Sequence, residues 1–270
     1  MSTSKVLLST TSVFPEASAS AFELAASLGY DGIELMVGVD ALSTDIDAIE
    51  KLSAYHGVPV LSVHAPTLLV TQSAWGSDPW DKLRRSGEAV RQFGGDIVVV
   101  HPPFRWQREY GARFVEGIKR LNAEGPVRFA VENMYPWRTP AGHFQAYLPG
   151  WDPTAYDYDH LTLDLSHAST SQRQSLDLVH AWGERLAHVH LTDGRGSLKD
   201  EHLMPGEGDQ GAWTVIEELA ASGFPGHIVL EVSSRRARSR HEREVLLGDS
   251  LDSTRAVLAK GAARRLDVAS

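Results

Sequence analysis

The chain has 270 residues, 42% of them hydrophobic and 23% charged, which is ordinary globular composition with material for one large core. Its formal charge of -9 argues against broad electrostatic capture of nucleic acid or anionic membrane, while leaving room for a local basic patch. Without cysteine, disulfides, thiolate zinc sites and cysteine nucleophiles are excluded. No apolar run reaches spanning length, and the opening MSTSKVLLST lacks a signal-peptide layout, so the protein reads as cytoplasmic.

Strand-like runs occur at Val6–Ser9, Gly32–Val37, Val58–His64, Asp96–His101, Val127–Asn133, Leu161–Leu165, Ala187–Leu191 and Ile228–Val232. Each is short, rich in Val, Ile and Leu, and nearly continuous rather than alternating, as strands buried on both faces are. Helical patterns lie between them at Ala19–Leu28, Thr44–Tyr55, Asp81–Phe93, Gln107–Glu124, Leu176–Arg185, Ala212–Ser222 and Arg243–Ala262. Most are followed by glycine, the expected helix stop. Tyr135–Tyr158, rich in Pro, Trp and Tyr, reads as a long loop with at most a short helix. This alternation predicts an α/β fold, a closed (β/α)8 TIM barrel, as a single domain over residues 1–270; an open doubly wound sheet is the alternative.

In such a barrel the chemistry sits at the C-terminal ends of the strands. Those ends carry His64 (SVHAP), His101 (VVVHPP), Glu132 (FAVENMYPW), Asp164 with His167 (LTLDLSHAS), His190 (HVHLTD) and Glu231 (VLEVSS). The loop after His190 adds Asp200 and His202 in DEHLMPGEG. One histidine at a strand end is most often a hydrogen-bonded rim residue. Consecutive strands delivering His, Asp or Glu to one rim predict a divalent-metal site with nitrogen and oxygen ligands. His188 shares a strand face with His190 one layer deeper and reads as a core residue behind it.

On these motifs the whole chain resembles the xylose isomerase-like TIM barrels, which include sugar and sugar-phosphate isomerases and epimerases as well as endonuclease IV-type apurinic-site nucleases. The resemblance to the isomerases implies one ion held by Glu132, Asp164, His190 and Glu231. The resemblance to the nucleases implies three zinc ions, with His64, His101, His167, Asp200 and His202 as further ligands. The cofactor is then a divalent metal (Zn, Mn, Co or Mg), one to three ions per chain. The chain departs from the nucleases in HAPTLLVTQSAW, PPFRWQREYG and NMYPWRTP. Those bulky segments suit enclosure of a small ligand and argue against duplex DNA.

The expected function is therefore isomerisation or epimerisation of a small sugar or sugar phosphate. Glu132 and Glu231, with His190, would serve as the acid–base groups of an enediolate-type proton transfer. Hydrolysis of a phosphoester by a multinuclear zinc site is the alternative, and a metal-binding scaffold without catalysis ranks below both. Glu34, Arg105, Trp137, Arg138, Lys199 and Arg235 are candidate substrate contacts; for Glu34 a structural salt bridge is equally expected. The run Arg235, Arg236, Arg238, Arg240, Arg243 reads as a solvated helix start or an anion site. Gly206–Gly211 fits G-x-G-x-x-G, but no strand runs into it and its two acids would repel pyrophosphate, so it is read as a flexible loop.

Overall fold

The computed structural model describes residues 4–269 apart from 72, 140 and 141. Of the segments singled out above, Met1–Thr3, Gln72, Pro140 and Ala141 therefore lie outside the described residues. Strands β1 (Val6–Ser9), β2 (Gly32–Met36), β3 (Val60–His64), β4 (Ile97–Val100), β5 (Arg128–Glu132), β8 (Leu161–Asp164), β9 (Leu186–Leu191) and β10 (His227–Leu230) close into a parallel barrel. Its order is β1-β10-β9-β8-β5-β4-β3-β2, so each strand pairs with its neighbours in the chain and β10 returns to β1. Helices α1 (Ser18–Leu28), α2 (Ile46–His56), α3 (Pro79–Gln92), α7 (Ser175–Trp182), α8 (Ala212–Ser222) and α9 (Arg240–Ala269) cover the outside.

The outward strand positions and the inner helix faces form one large apolar cluster, including Leu8, Leu35, Val63, Val98, Phe129, Leu163 and Leu230. Leu7, Val229, Val99 and Ala130 fall in smaller separate clusters. They stand two residues before Ser9, Glu231, His101 and Glu132, so by strand alternation they fill the lumen beneath those polar side chains.

Two expectations are corrected. The expected helix Gln107–Glu124 is broken at Arg113 into α4 (Arg108–Ala112) and α5 (Phe114–Ala123). The expected loop Tyr135–Tyr158 contains an antiparallel hairpin, β6 (Trp137–Thr139) with β7 (Gly142–Phe144), set between β5 and β8. Such a three-residue pairing is too short to give an alternating pattern in sequence. Among the described residues no helix is long and apolar enough to cross a membrane.

Entry into β4 depends on backbone packed on backbone. A Cβ built on Gly95 would lie 2.5 Å from the Leu61 carbonyl oxygen and 2.7 Å from its carbon. Strand atoms cannot rotate away as a side chain can, so Gly95→Ala is expected to cost about 3 kcal/mol, at the upper end of overpacking losses. Urea denaturation checks this; a loss under about 1 kcal/mol would mean that β3 and β4 separate without strain.

His227 opens β10 at the opposite end of the barrel from the acidic rim. Burial, reinforced by the neighbouring His188, pushes its imidazole down to about 4 from 6.5. The folded chain therefore favours the neutral ring, while the unfolded chain takes up a proton first. Its stabilisation is complete above pH 6.5 and is lost as pH falls towards 4, on the order of 3 kcal/mol in all. His227→Gln should flatten the decline of the urea midpoint between pH 6.5 and 4; an unchanged slope would assign acid sensitivity elsewhere.

Candidate metal centre

The C-terminal ends of the strands bring all the singled-out metal ligands into one buried network. Parallel register sets their levels, with Asp164 and Val229 each beside His190 and Met36 beside His64. Glu132, at the end of β5, is the hub. Its Oε2 faces His101 Nε2 at 2.6 Å and His64 Nε2 at 3.3 Å. Its Oε1 faces His190 Nδ1 and His167 Nδ1, both at 3.2 Å. One carboxylate thus touches four imidazoles, two on each oxygen.

His190 Nδ1 also meets Glu231 Oε2 at 2.8 Å and Asp164 Oδ2 at 3.6 Å. The spacing of Asp164 and His167 has a local cause. Asp164 caps the short helix α6 (Leu165–Thr170), its Oδ1 accepting the backbone N–H of His167 at 2.7 Å. That bond turns Oδ2 towards His190, where it is buried and accepts no hydrogen bond. Asn133 locks the same strand end, exchanging side-chain bonds with both the N–H and the C=O of Asp164.

The loop after β9 supplies the remaining pair. Asp200 Oδ2 lies 2.8 Å from His202 Nε2 and 3.1 Å from His167 Nε2. Ser166 Oγ donates to Asp200 Oδ1 and accepts the N–H groups of Glu201 and His202. His202 has φ +44°, a conformation costing a non-glycine residue of order 1 kcal/mol, which the Ser166 contacts hold in place. Ser166, Asn133 and Thr11, whose hydroxyl lies 3.4 Å from Glu231 Oε1, were missed in sequence. The only signal was that Asn133 and Ser166 stand beside or between the expected ligands.

The electrostatics are those of a centre short of cations. Burial pushes the carboxyls of Glu132, Asp200 and Glu231 up, but neighbouring imidazoles, led by His101, His202 and His190 respectively, outweigh it and hold all three low. Burial pushes the imidazoles down, yet Glu231 holds His190 well above its usual range, Asp164 does so for His167, and Asp200 holds His202 at about 10. Among the described residues the ion pairs of these acids are all with histidine, none with lysine or arginine. Buried carboxylates need either protons on those rings or a bound cation.

The donor set fits divalent metal. Ligand atoms of His64, His101 and Glu132 lie within 4.8 Å of one another, as do those of Glu132, Asp164 and His190, and those of Asp164, His167 and His202. Mixed imidazole and carboxylate donors suit zinc and its first-row neighbours. Asp164 Oδ2 and the ring nitrogens of His101, buried without an in-line hydrogen bond, are the orphaned atoms such a site would show.

The candidate substrate contacts divide. Trp137 is half-buried in a wall with Phe104, Trp106 and Tyr147, and Tyr135 in the same segment comes within 5.1 Å of the His167 ring. Arg105 and Lys199 are exposed, and Arg235 is exposed over the Phe14 ring. Arg138 spends its guanidinium on the carbonyls of Gly196 and Ser197, tying the hairpin to the loop that carries Asp200 and His202. Glu34 is fully buried and, among the described residues, pairs with His188 and His190 and accepts from Ser62, so the structural ion pair expected for it is present, with histidine as the partner. In the arginine run, Arg236 pairs with Glu207, Arg240 with Glu23 and Arg243 with Glu16, as a structural helix start would. Gly206–Gly211 forms a turn fastened to Asp193, which accepts the N–H groups of Gly206 and Gln210.

A family model described as xylose isomerase-like TIM barrel matches residues 22–257. An uncharacterized protein of Mycobacterium tuberculosis is 47% identical over 275 residues, covering 95% of this chain and 98% of its own. Among solved structures, a xylose isomerase domain protein from Alicyclobacillus acidocaldarius superposes with TM-score 0.68 at 18% identity, covering 95% of this chain and 99% of its own. Endonuclease IV from Thermus thermophilus superposes with TM-score 0.58 at 23% identity, covering 95% and 99%. At those identities the two structures speak for the fold alone.

Proposed function

Since this chain belongs to the xylose isomerase-like TIM barrel family, which holds both isomerase-type and endonuclease IV-type members, we propose that it is a multinuclear, zinc-type metal hydrolase of small phosphoesters. The observation that carries this reading is Glu132, whose two oxygens face separate imidazole pairs. A carboxylate so placed could serve two metal positions: His64 and His101 would complete one, Asp164, His190 and Glu231 the other. His167, Asp200 and His202 would hold a third. Divalent ions there supply Lewis-acid activation of water and charge stabilisation on a phosphoryl oxygen.

The chain's own groups orient and enclose. Ser166 fixes the Asp200 carboxylate, and Asn133 and the helix cap fix Asp164, so the donors need little rearrangement on loading. Glu231 is the most accessible of the site's strand-end acids, with Thr11 at its second oxygen, and is placed to take a proton from water and return it to the leaving group. The aromatic cluster around Trp137, joined to the site by Tyr135 at 5.1 Å from the His167 ring, suits a small substrate better than duplex DNA. Arg105, Lys199 and Arg235 are rim cations available to a phosphate.

The isomerase or epimerase reading stands second. The same cluster and Glu231 favour it, with one ion on Glu132, Asp164, His190 and Glu231. It leaves the groupings of His64 and His101 with Glu132, and of His167 and His202 with Asp164, without an ion of their own.

Elemental analysis of protein purified without chelators, paired with turnover of bis(p-nitrophenyl) phosphate and of ketoses in deuterated water, tests the order. Two to three ions per chain with phosphoester cleavage is the expected result. One ion with deuterium uptake by a ketose would install the isomerase reading instead, and no metal after repletion would overturn both.

A further inference from the structure

Beneath the centre lies a second charged layer that the hydrolytic scheme does not use. Glu34, in the middle of β2, is 0% exposed, as are His188, His190 and Ser62. Register brings them together across the barrel lumen: Glu34 pairs with Ser62 on β3, and His188 and His190 project from the same face of β9. Glu34 Oε2 accepts from Ser62 Oγ at 2.7 Å and lies 2.7 Å from His188 Nε2. Its Oε1 lies 2.8 Å from His190 Nε2, close but bent away from a straight hydrogen bond.

The two nitrogens of His190 therefore have opposite duties. Nδ1 faces Glu132, Asp164 and Glu231, while among the described residues the acid that Nε2 faces is Glu34. We infer that Glu34 is a positioning residue of the metal centre: its carboxylate holds the proton of His190 on Nε2, so that Nδ1 presents its lone pair to the cation. The inference rests on the metal reading of the site, though not on which reaction the metals serve.

Three features support it. A full carboxylate sealed in the lumen, away from any lysine or arginine ion pair among the described residues, is costly to keep unless its charge does something for its imidazole neighbours. Ser62 and His188 grip the other oxygen, so the carboxylate cannot swing off His190. A ligating imidazole whose second nitrogen meets a carboxylate is also fixed in tautomer and made more basic, and loss of such a partner costs about 10–100-fold in metal affinity.

The test uses Glu34→Gln, which keeps shape and removes charge, with Ser62→Ala as a milder probe that leaves the carboxylate but removes one of the two contacts on its Oε2. Apo protein is titrated with zinc against a chromogenic chelator, and with cobalt while visible absorption is recorded. In Glu34→Gln one ion equivalent should weaken by about 10–100-fold and the cobalt spectrum should change. The equivalent assigned to Asp200 and His202 should keep its affinity, and the apo melting temperature should hold or rise. Ser62→Ala should shift the same equivalent, by less. Unchanged zinc affinity in Glu34→Gln, against a wild type that binds metal, would overturn the positioning role and leave the metal reading intact. Equal weakening of all equivalents with a fall in apo melting temperature would overturn it too, making Glu34 part of the fold. A wild type that binds no metal would overturn the metal reading itself.

Discussion

Glu132→Gln is expected to abolish turnover and to remove at least one metal equivalent per chain. The amide cannot supply two anionic oxygens to His64 and His101 on one side and His167 and His190 on the other. Loss of activity should exceed the about 10–100-fold typical of losing a mere partner of a ligand, because the amide NH2 cannot ligate one position and only a neutral oxygen is left for the other. The fold should survive, since the facing imidazoles can shed a proton and become neutral once the carboxylate's charge is gone. Elemental analysis and far-ultraviolet circular dichroism of the variant check both parts. Full metal content with full activity would remove Glu132 from the centre and leave the proposed function without its main support.

His202→Ala should remove one metal equivalent and leave the rest. Asp200 would retain His167 and the Ser166 hydroxyl but lose its contact at 2.8 Å. Turnover should fall by at least about 10-fold if the third position contributes charge stabilisation. An unchanged metal content would show that His202 is not a ligand. Unchanged turnover with one ion fewer would confine the chemistry to the two positions joined by Glu132, and would weaken the likeness to three-metal centres without touching the hub.

Legibility in the sequence followed the range of the forces involved. The barrel was legible because parallel strands covered on both faces must be continuously apolar, and Val98–Val100 or Ile228–Leu230 can be read without any partner in view. The clustering of the candidate ligands was legible for a related reason. A barrel puts every strand end on one rim, so position along a strand already implies position in the site. The hairpin at Trp137–Phe144 was not legible, since three-residue strands leave no period and its pairing is held by the surrounding aromatic cluster. Nor was the break at Arg113 within the expected helix.

The sequence by itself determined the candidate donor set, the strand ends that carry it and the exclusion of thiolate chemistry, because composition and period are local properties. The tertiary structure decided which of those side chains face one another. That Glu132 turns one oxygen to each pair of imidazoles, and that Glu34 faces inward to His190 instead of outward to the rim, depends on register between strands far apart in the chain. Register is fixed by backbone hydrogen bonds and lumen packing, and no local pattern reports it.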